Sequence, residues 1–241
     1  MYNTLIILVL LMLPQATFKQ TQLKYPRVKT AFDEKEGVVK SYFLEKGILY
    51  QNFNLFIRAF KKERTVEIWV KEMTQEKYEL LKVYNFCATS GNLGPKRKEG
   101  DLQIPEGIYS INHFNPQSNF YLSLGINYPN ASDKILSDRR HPGGAIYLHG
   151  NCVTIGCIPL TDDKIKELYV MAVEARNNGQ EKIPVHIFPA KLSGAQLTNL
   201  RNDHPAVTSA FWENLKVVYD DFEATRIVKP VHVKPNGAYS F

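Results

Sequence analysis

From Leu55 to Val70 the chain reads LFIRAFKKERTVEIWV. Val66, Ile68 and Val70 alternate with Glu67 and Trp69, the two-residue period of a half-buried strand. The charged break KKER separates this run from Leu55–Phe60, so the two segments are expected to pair as a β-hairpin. YELLKVYNF (78–86) reads as a third strand. SGNLGPKRKEGDLQIPEGIYSI (90–111) holds four Gly and two Pro, which predicts loop up to about Pro105. GIYSINHF, NFYLSLGI and AIYLHG then read as strands, with a long polar loop over 127–144 before the last of them. IPVHIFP (183–189) adds one more.

Between 161 and 179 the period changes. Ile165, Leu168, Tyr169, Ala172 and Val173 follow the spacing of one helical face. Thr161 suits the N-cap, Asp162 and Asp163 suit the positive end of the helix dipole, and Gly179 suits the stop. Shorter helices are expected over 38–48 and 195–202, and a longer one from Pro205 to about Phe222. Residues 17–35 read as a polar lead-in and the tail as extended chain. Leu5–Leu13 is an unbroken apolar run. It falls short of the ~20 residues a membrane-spanning helix needs, and it has the length of a secretory signal core. The expected organisation is a signal over 1–16, a lead-in over 17–49, a principal domain over 50–190, and a helical extension over 191–241 packed on it.

Charge narrows the partners. The 241 residues carry a net +6, with Lys and Arg scattered rather than gathered into an arm. Nucleic acid is therefore not an expected partner; acidic polymers such as wall carboxylates, anionic lipid, or a solvated surface with no partner all stay open on charge. The basic, Gly-rich 94–100 segment lacks the GK[ST] ending of a phosphate cradle, which excludes nucleotide binding of that kind.

The chemistry concentrates in AIYLHGNCVTIGC, Ala145 to Cys157. Three cysteines in an exported chain leave at least one thiol outside any internal disulfide. Cys152 either pairs with Cys87 or is simply buried; a Cys152–Cys157 bridge would silence the second sulfur. His149 closes a strand and Cys157 follows eight residues later past a turn, a spacing that lets imidazole and thiol meet. A thiolate is a strong nucleophile and an imidazole is a base near neutral pH. Gly150 and Gly156 suit close backbone approach, and the N–H groups of Gly156 and Cys157 are expected to be free to face a developing oxyanion.

HGNCVTIGC resembles the HG-x(3)-[ST]-x-GC signature of L,D-transpeptidase catalytic domains of the YkuD type, with the short spacing of the YafK-like branch. CATSGNLGPKRKEGDLQIPEGIY, FYLSLGINYPNASD and GCIPLTDDKIKELY resemble further blocks of that branch, so the likeness spans about residues 50–190. The resemblance implies a mainly β, α+β fold: a curved mixed β-sheet sandwich with flanking helices, the post-cysteine helix packed outside. It implies Cys157 as nucleophile, His149 as base oriented by the Gly150 carbonyl, Gly156 in the oxyanion hole, and Thr154 at the [ST] position. Two positions depart from the better-known signature: Ile155 replaces its second histidine, and Pro159 its arginine two residues past the cysteine. Arg139 or Arg140 is the expected replacement for holding a substrate carboxylate, with Tyr128 and Lys96 as further substrate contacts. The implied protein is a monomeric periplasmic enzyme without a cofactor. Its partners would be peptidoglycan stem peptides and a wall-attached protein.

A second class of function stays open on residues alone. His141, His149, Cys152 and Cys157 would supply a tetrahedral zinc set for a non-catalytic wall-binding module.

Overall fold

The computed structural model describes residues 16–241, so the apolar run Leu5–Leu13 of the expected signal lies outside the described residues. The predicted hairpin forms as β1 (Phe53–Phe60) and β2 (Thr65–Glu72), and β3 (Glu79–Asn85) extends it. β4 (Gly107–Asn115), β5 (Ser123–Ile126), β6 (Tyr147–His149), β7 (Ile158–Pro159) and β8 (Pro184–Phe188) complete one mixed sheet in the order β3-β2-β1-β8-β4-β5-β6-β7. Among the described residues, β1/β8 and β6/β7 are the parallel pairs. β4 joins the two halves. Its first residues pair with β8, and from Ile111 on it pairs with β5, with a register shift between Ile111 and His113.

Both faces of the β1/β2 hairpin are covered, which corrects the half-buried reading. On one face Leu55, Ile57, Val66, Ile68 and Val70 meet the main core. On the other, Phe56 and Trp69 meet Phe222, with ring centroids 5.0 Å apart in each case. The polar positions on that face are neutralised rather than solvated. Buried Arg58 pairs with Glu67 at 3.2 Å and with Glu223 at 2.7 Å. The cover is α6 (Ala206–Thr225), which follows α5 (Ala195–Asn202). A short hairpin, β9 (His232–Val233) with β10 (Tyr239–Ser240), ends the chain.

The opposite face holds a second correction. The post-cysteine helix α4 (Asp162–Asn177) is capped by Thr161 as expected, but it is internal, with Glu167 through Ala175 continuously buried. The lead-in covers it. Residues 17–49 form α1 (Phe18–Gln22) and α2 (Pro26–Lys46) rather than a polar stretch and a short helix over 38–48. Val28, Ala31, Phe32, Val39 and Phe43 give α2 its buried stripe, and Pro26 opens it at a position where a missing N–H costs nothing. Gly37 and the charges around it obscure that stripe in the sequence. The polar 127–144 segment is not all loop either. It contains α3 (Ala131–Leu136), started by a reciprocal cap between Asn130 and Asp133.

Candidate active site

Parallel pairing of β6 and β7 aligns Leu148 with Ile158 and His149 with Pro159. Cys157 directly precedes β7, so the chain crosses from the histidine to the cysteine through one short loop. Both side chains line a cavity of about 510 Å³, together with Phe120, Ser123, Tyr147 and Thr154.

His149 is held on three sides. β5/β6 pairing sets it opposite Ser123. Its ring packs against Phe120, with centroids 4.7 Å apart. Its Nδ1 lies 2.5 Å from the Gly150 carbonyl oxygen, which assigns the proton to Nδ1 and leaves the Nε2 lone pair available as a base. Gly150 itself is dictated by close approach. A Cβ there would lie 2.6 Å from Asp162 Oδ1 and 2.9 Å from the Phe120 carbonyl oxygen. Asp162 Oδ1 accepts from the Asn151 N–H at 2.8 Å, so the start of α4 anchors the start of the loop.

The middle of the loop is fixed covalently. Cys152 forms a disulfide with Cys87, and Cys157 is the free cysteine among the described residues. The Cys87 N–H donates to the Pro159 carbonyl at 3.1 Å, so the tether sits beside β7. This disulfide removes Cys152 from the zinc set, and no cluster of three or more metal-ligating side chains occurs among the described residues. The zinc-module alternative is thereby set aside.

The end of the loop corrects another expectation. The Gly156 and Cys157 N–H groups are not free. Both donate to Thr154 Oγ1, at 3.2 and 2.8 Å, and that hydroxyl donates on to the Cys157 carbonyl at 2.8 Å. The two N–H groups still converge on a single oxygen, the arrangement an oxyanion requires. Gly156 reaches it with φ +139°, and a Cβ there would lie 3.0 Å from the Gln103 carbonyl oxygen.

Cys157 Sγ is 3.7 Å from the Ala145 carbonyl oxygen, and among the described residues it makes no direct hydrogen bond to His149. Burial pushes the thiol above its ordinary range, opposed by the Tyr147 backbone N–H and the charge of Lys96. Burial pushes the imidazole below its ordinary range, opposed by the Gly150 carbonyl. The resting pair is therefore a neutral thiol and a neutral imidazole. Proton transfer belongs to the attack step, and such hydrogen bonds commonly tighten only with substrate present.

Of the expected substrate contacts, Thr154 lines the cavity and the other four do not. Arg139 and Arg140 are exposed on the loop after α3. Tyr128 is buried, and its hydroxyl donates to the Pro142 carbonyl at 2.9 Å, which makes it a brace for the 138–145 segment. Lys96 is also buried, paired with Asp101 at 2.6 Å. Sequence reasoning missed Ser123 and Tyr147, which the β5/β6 pairing delivers, Phe120 in the turn before β5, and the exposed apolar pair Val153 and Ile155 at the cavity mouth. The last two flank Thr154 inside the motif, so their place at the mouth was the one readable signal.

The family described as the L,D-transpeptidase catalytic domain, YkuD, matches residues 57–187. YafK of Escherichia coli K12, named as a candidate L,D-transpeptidase, is 38% identical over 187 residues, covering 77% of this chain and 72% of its own. Among solved structures, the helical cell shape determining protein Pgp2 of Campylobacter jejuni aligns with TM-score 0.45 and 21% identity, over 58% of this chain and 49% of its own. Bd1075 of Bdellovibrio bacteriovorus aligns with TM-score 0.39 and 24% identity, over 59% of this chain and 50% of its own. Because the family match runs from the middle of β1 to the end of β8, and so takes in the whole loop from His149 to Cys157, the chain belongs to the L,D-transpeptidase catalytic-domain (YkuD) family.

Proposed function

We propose that this chain is an exported, periplasmic cysteine acyl-transfer enzyme acting on peptidoglycan stem peptides. One observation carries the reading: the free cysteine and a histidine with its Nδ1 proton committed to a carbonyl line one cavity. His149 Nε2 takes the proton from Cys157 as Sγ attacks the carbonyl at the L-centre of a diamino acid. The Gly156 and Cys157 N–H groups, released from Thr154 Oγ1, stabilise the oxyanion. The tetrahedral intermediate collapses, the C–N bond breaks, and the amine leaves with the proton from His149. A thioester remains on Cys157. An acceptor amine, or water, then attacks that thioester and gives its proton to His149; the C–S bond breaks and the freed sulfur takes that proton back from His149 as a thiol. An amine acceptor gives a cross-link or attaches a protein; water makes the site a hydrolase that releases a peptide or a wall-attached protein.

The test is Cys157→Ala. Purified sacculi treated with the native chain are expected to show altered muropeptides, and sacculi treated with the variant none. Incubation with defined muropeptides is expected to add an acyl mass to the native protein alone. An unchanged muropeptide pattern with correctly folded native protein would remove the proposal.

A further inference from the structure

Lys96 lies 61 residues upstream of the nucleophile and is 5% exposed, on the loop between β3 and β4. Its Nζ donates to Asp101 Oδ1 at 2.6 Å and to the Lys98 carbonyl at 2.9 Å. An ammonium has three donors, so among the described residues one remains. The side chain runs against Gly143: a Cβ built there would lie 3.0 Å from Lys96 Cε and 3.5 Å from Nζ. Two residues further on, the Ala145 carbonyl oxygen contacts Cys157 Sγ at 3.7 Å. The thin Gly143–Ala145 segment therefore separates a buried cation from the nucleophile.

The same loop touches the site a second time. Asp101 accepts from the N–H groups of Arg97, Lys98 and Gln103 as well as from Lys96. That knot delivers the Gln103 carbonyl to the back of Gly156. It also spreads the carboxylate's charge over four donors, so the ammonium is only partly neutralised. Pro159, two residues after the cysteine, cannot supply a charge. Arg139 and Arg140 stay outside the cavity.

We propose that Lys96 is a positioning residue for the nucleophile, its ammonium stabilising the negative charge that forms on Cys157 Sγ during attack. The proposal rests on Cys157 being the nucleophile of the proposed function. The resting thiol is protonated, so the sulfur must acquire its charge within the step, in a partly dry site where a nearby cation acts strongly. Among the described residues, the charged and titratable groups around the sulfur are His149 and Tyr147 in the cavity, the Lys96–Asp101 pair and Glu99 behind Gly143, and Arg97 and Asp133 of α3 facing each other beyond.

The test is the pH dependence of Cys157 alkylation by iodoacetamide, which needs no wall substrate. Lys96→Met is expected to slow alkylation at neutral pH about tenfold and to move its midpoint upward by about one pH unit. Lys96→Arg is expected to restore most of both. Asp101→Asn, which keeps the cation and weakens its counter-charge, is expected to move the midpoint downward. In turnover, Lys96→Met should lower kcat with little change in KM. An unmoved midpoint in folded Lys96→Met overturns the proposal. Should that variant not fold, an Asp101→Asn midpoint that stays or rises overturns it. If alkylation shifts as expected but sacculi stay unchanged, the proposed function fails and with it the role of Lys96 in attack, while its effect on thiolate formation at Cys157 stands.

Discussion

At the residue scale, the site depends on protonation and on a backbone position, Gly156, that only glycine adopts without strain. Attack needs His149 neutral, and burial holds its imidazole below the ordinary range. The acid limb of kcat/KM is therefore expected below the midpoint of a free histidine, with activity lost as pH falls through it. Burial also raises the thiol, so the neutral pair persists into mildly alkaline solution. A pH–rate profile checks both limbs, and an acid limb at or above the ordinary imidazole value contradicts the geometry. Gly156 tests the oxyanion side. Gly156→Ala puts a Cβ 3.0 Å from the Gln103 carbonyl oxygen at φ +139°. Strain of this kind costs about 1–3 kcal/mol. The expected result is a lower Tm together with a loss of kcat larger than the stability change explains. Residue identity was readable here: histidine, cysteine and both glycines sit within one short stretch, because consecutive strand ends build the centre. Phe120 and Ser123 were not readable as parts of it, since distant segments bring them there; Lys96 was expected as a substrate contact and lies instead behind Gly143.

At the element scale, the loop between β6 and β7 is held at three points: Asp162 at its start, the Cys87–Cys152 bridge in its middle, and Thr154 near its end. Removing the bridge with Cys87→Ser and Cys152→Ser together is expected to cost about 2–4 kcal/mol, measured by urea denaturation. Activity should fall further than the loss of folded protein, because the freed segment carries the convergent N–H pair. Equal losses would make the bridge a global staple with no bearing on the site. Helix α4, which the family resemblance implied would pack outside, shows what periodicity alone does not reveal. Its apolar face was visible, but a helix covered on both sides also buries Glu167 and Glu174, and only their partners make that tolerable. Glu167 accepts from Tyr84 at 2.7 Å, and Glu174 pairs with Lys19. Those partners lie in β3 and α1, far away in sequence.

At the scale of the whole molecule, the sheet is a middle layer. α1, α2 and α4 cover one face, and α6 with the terminal hairpin covers the other. Phe211, Trp212, Leu215, Val218, Tyr219 and Phe222 are buried on the second face. Burial of six such side chains contributes on the order of 10 kcal/mol, comparable to the whole net stability of a domain. A chain ending at Asp203 is therefore expected to lose its near-UV circular dichroism and to aggregate on size-exclusion chromatography. A monomeric, cooperatively melting product would show the second layer to be dispensable. Buried Glu106 adds a specific link, accepting from Trp212 Nε1 at 2.7 Å and from Lys61 Nζ at 2.9 Å. Through it α6 braces the base of the loop that carries Lys96.

The sequence by itself determined what is local: the hairpin alternation, the Thr161 cap and helical stripe of α4, and the closely spaced pair His149 and Cys157. Each follows from dihedral preference or from a few neighbouring residues. Tertiary structure decided what depends on distant partners. It buried both faces of the hairpin, turned the lead-in into helices over α4, and spent Cys87 and Cys152 on each other. It also filled the two N–H groups with Thr154 and kept the thiol and imidazole neutral at rest. The physical reason is the same in every case: burial and pairing energies arise between segments that meet only once the chain is folded.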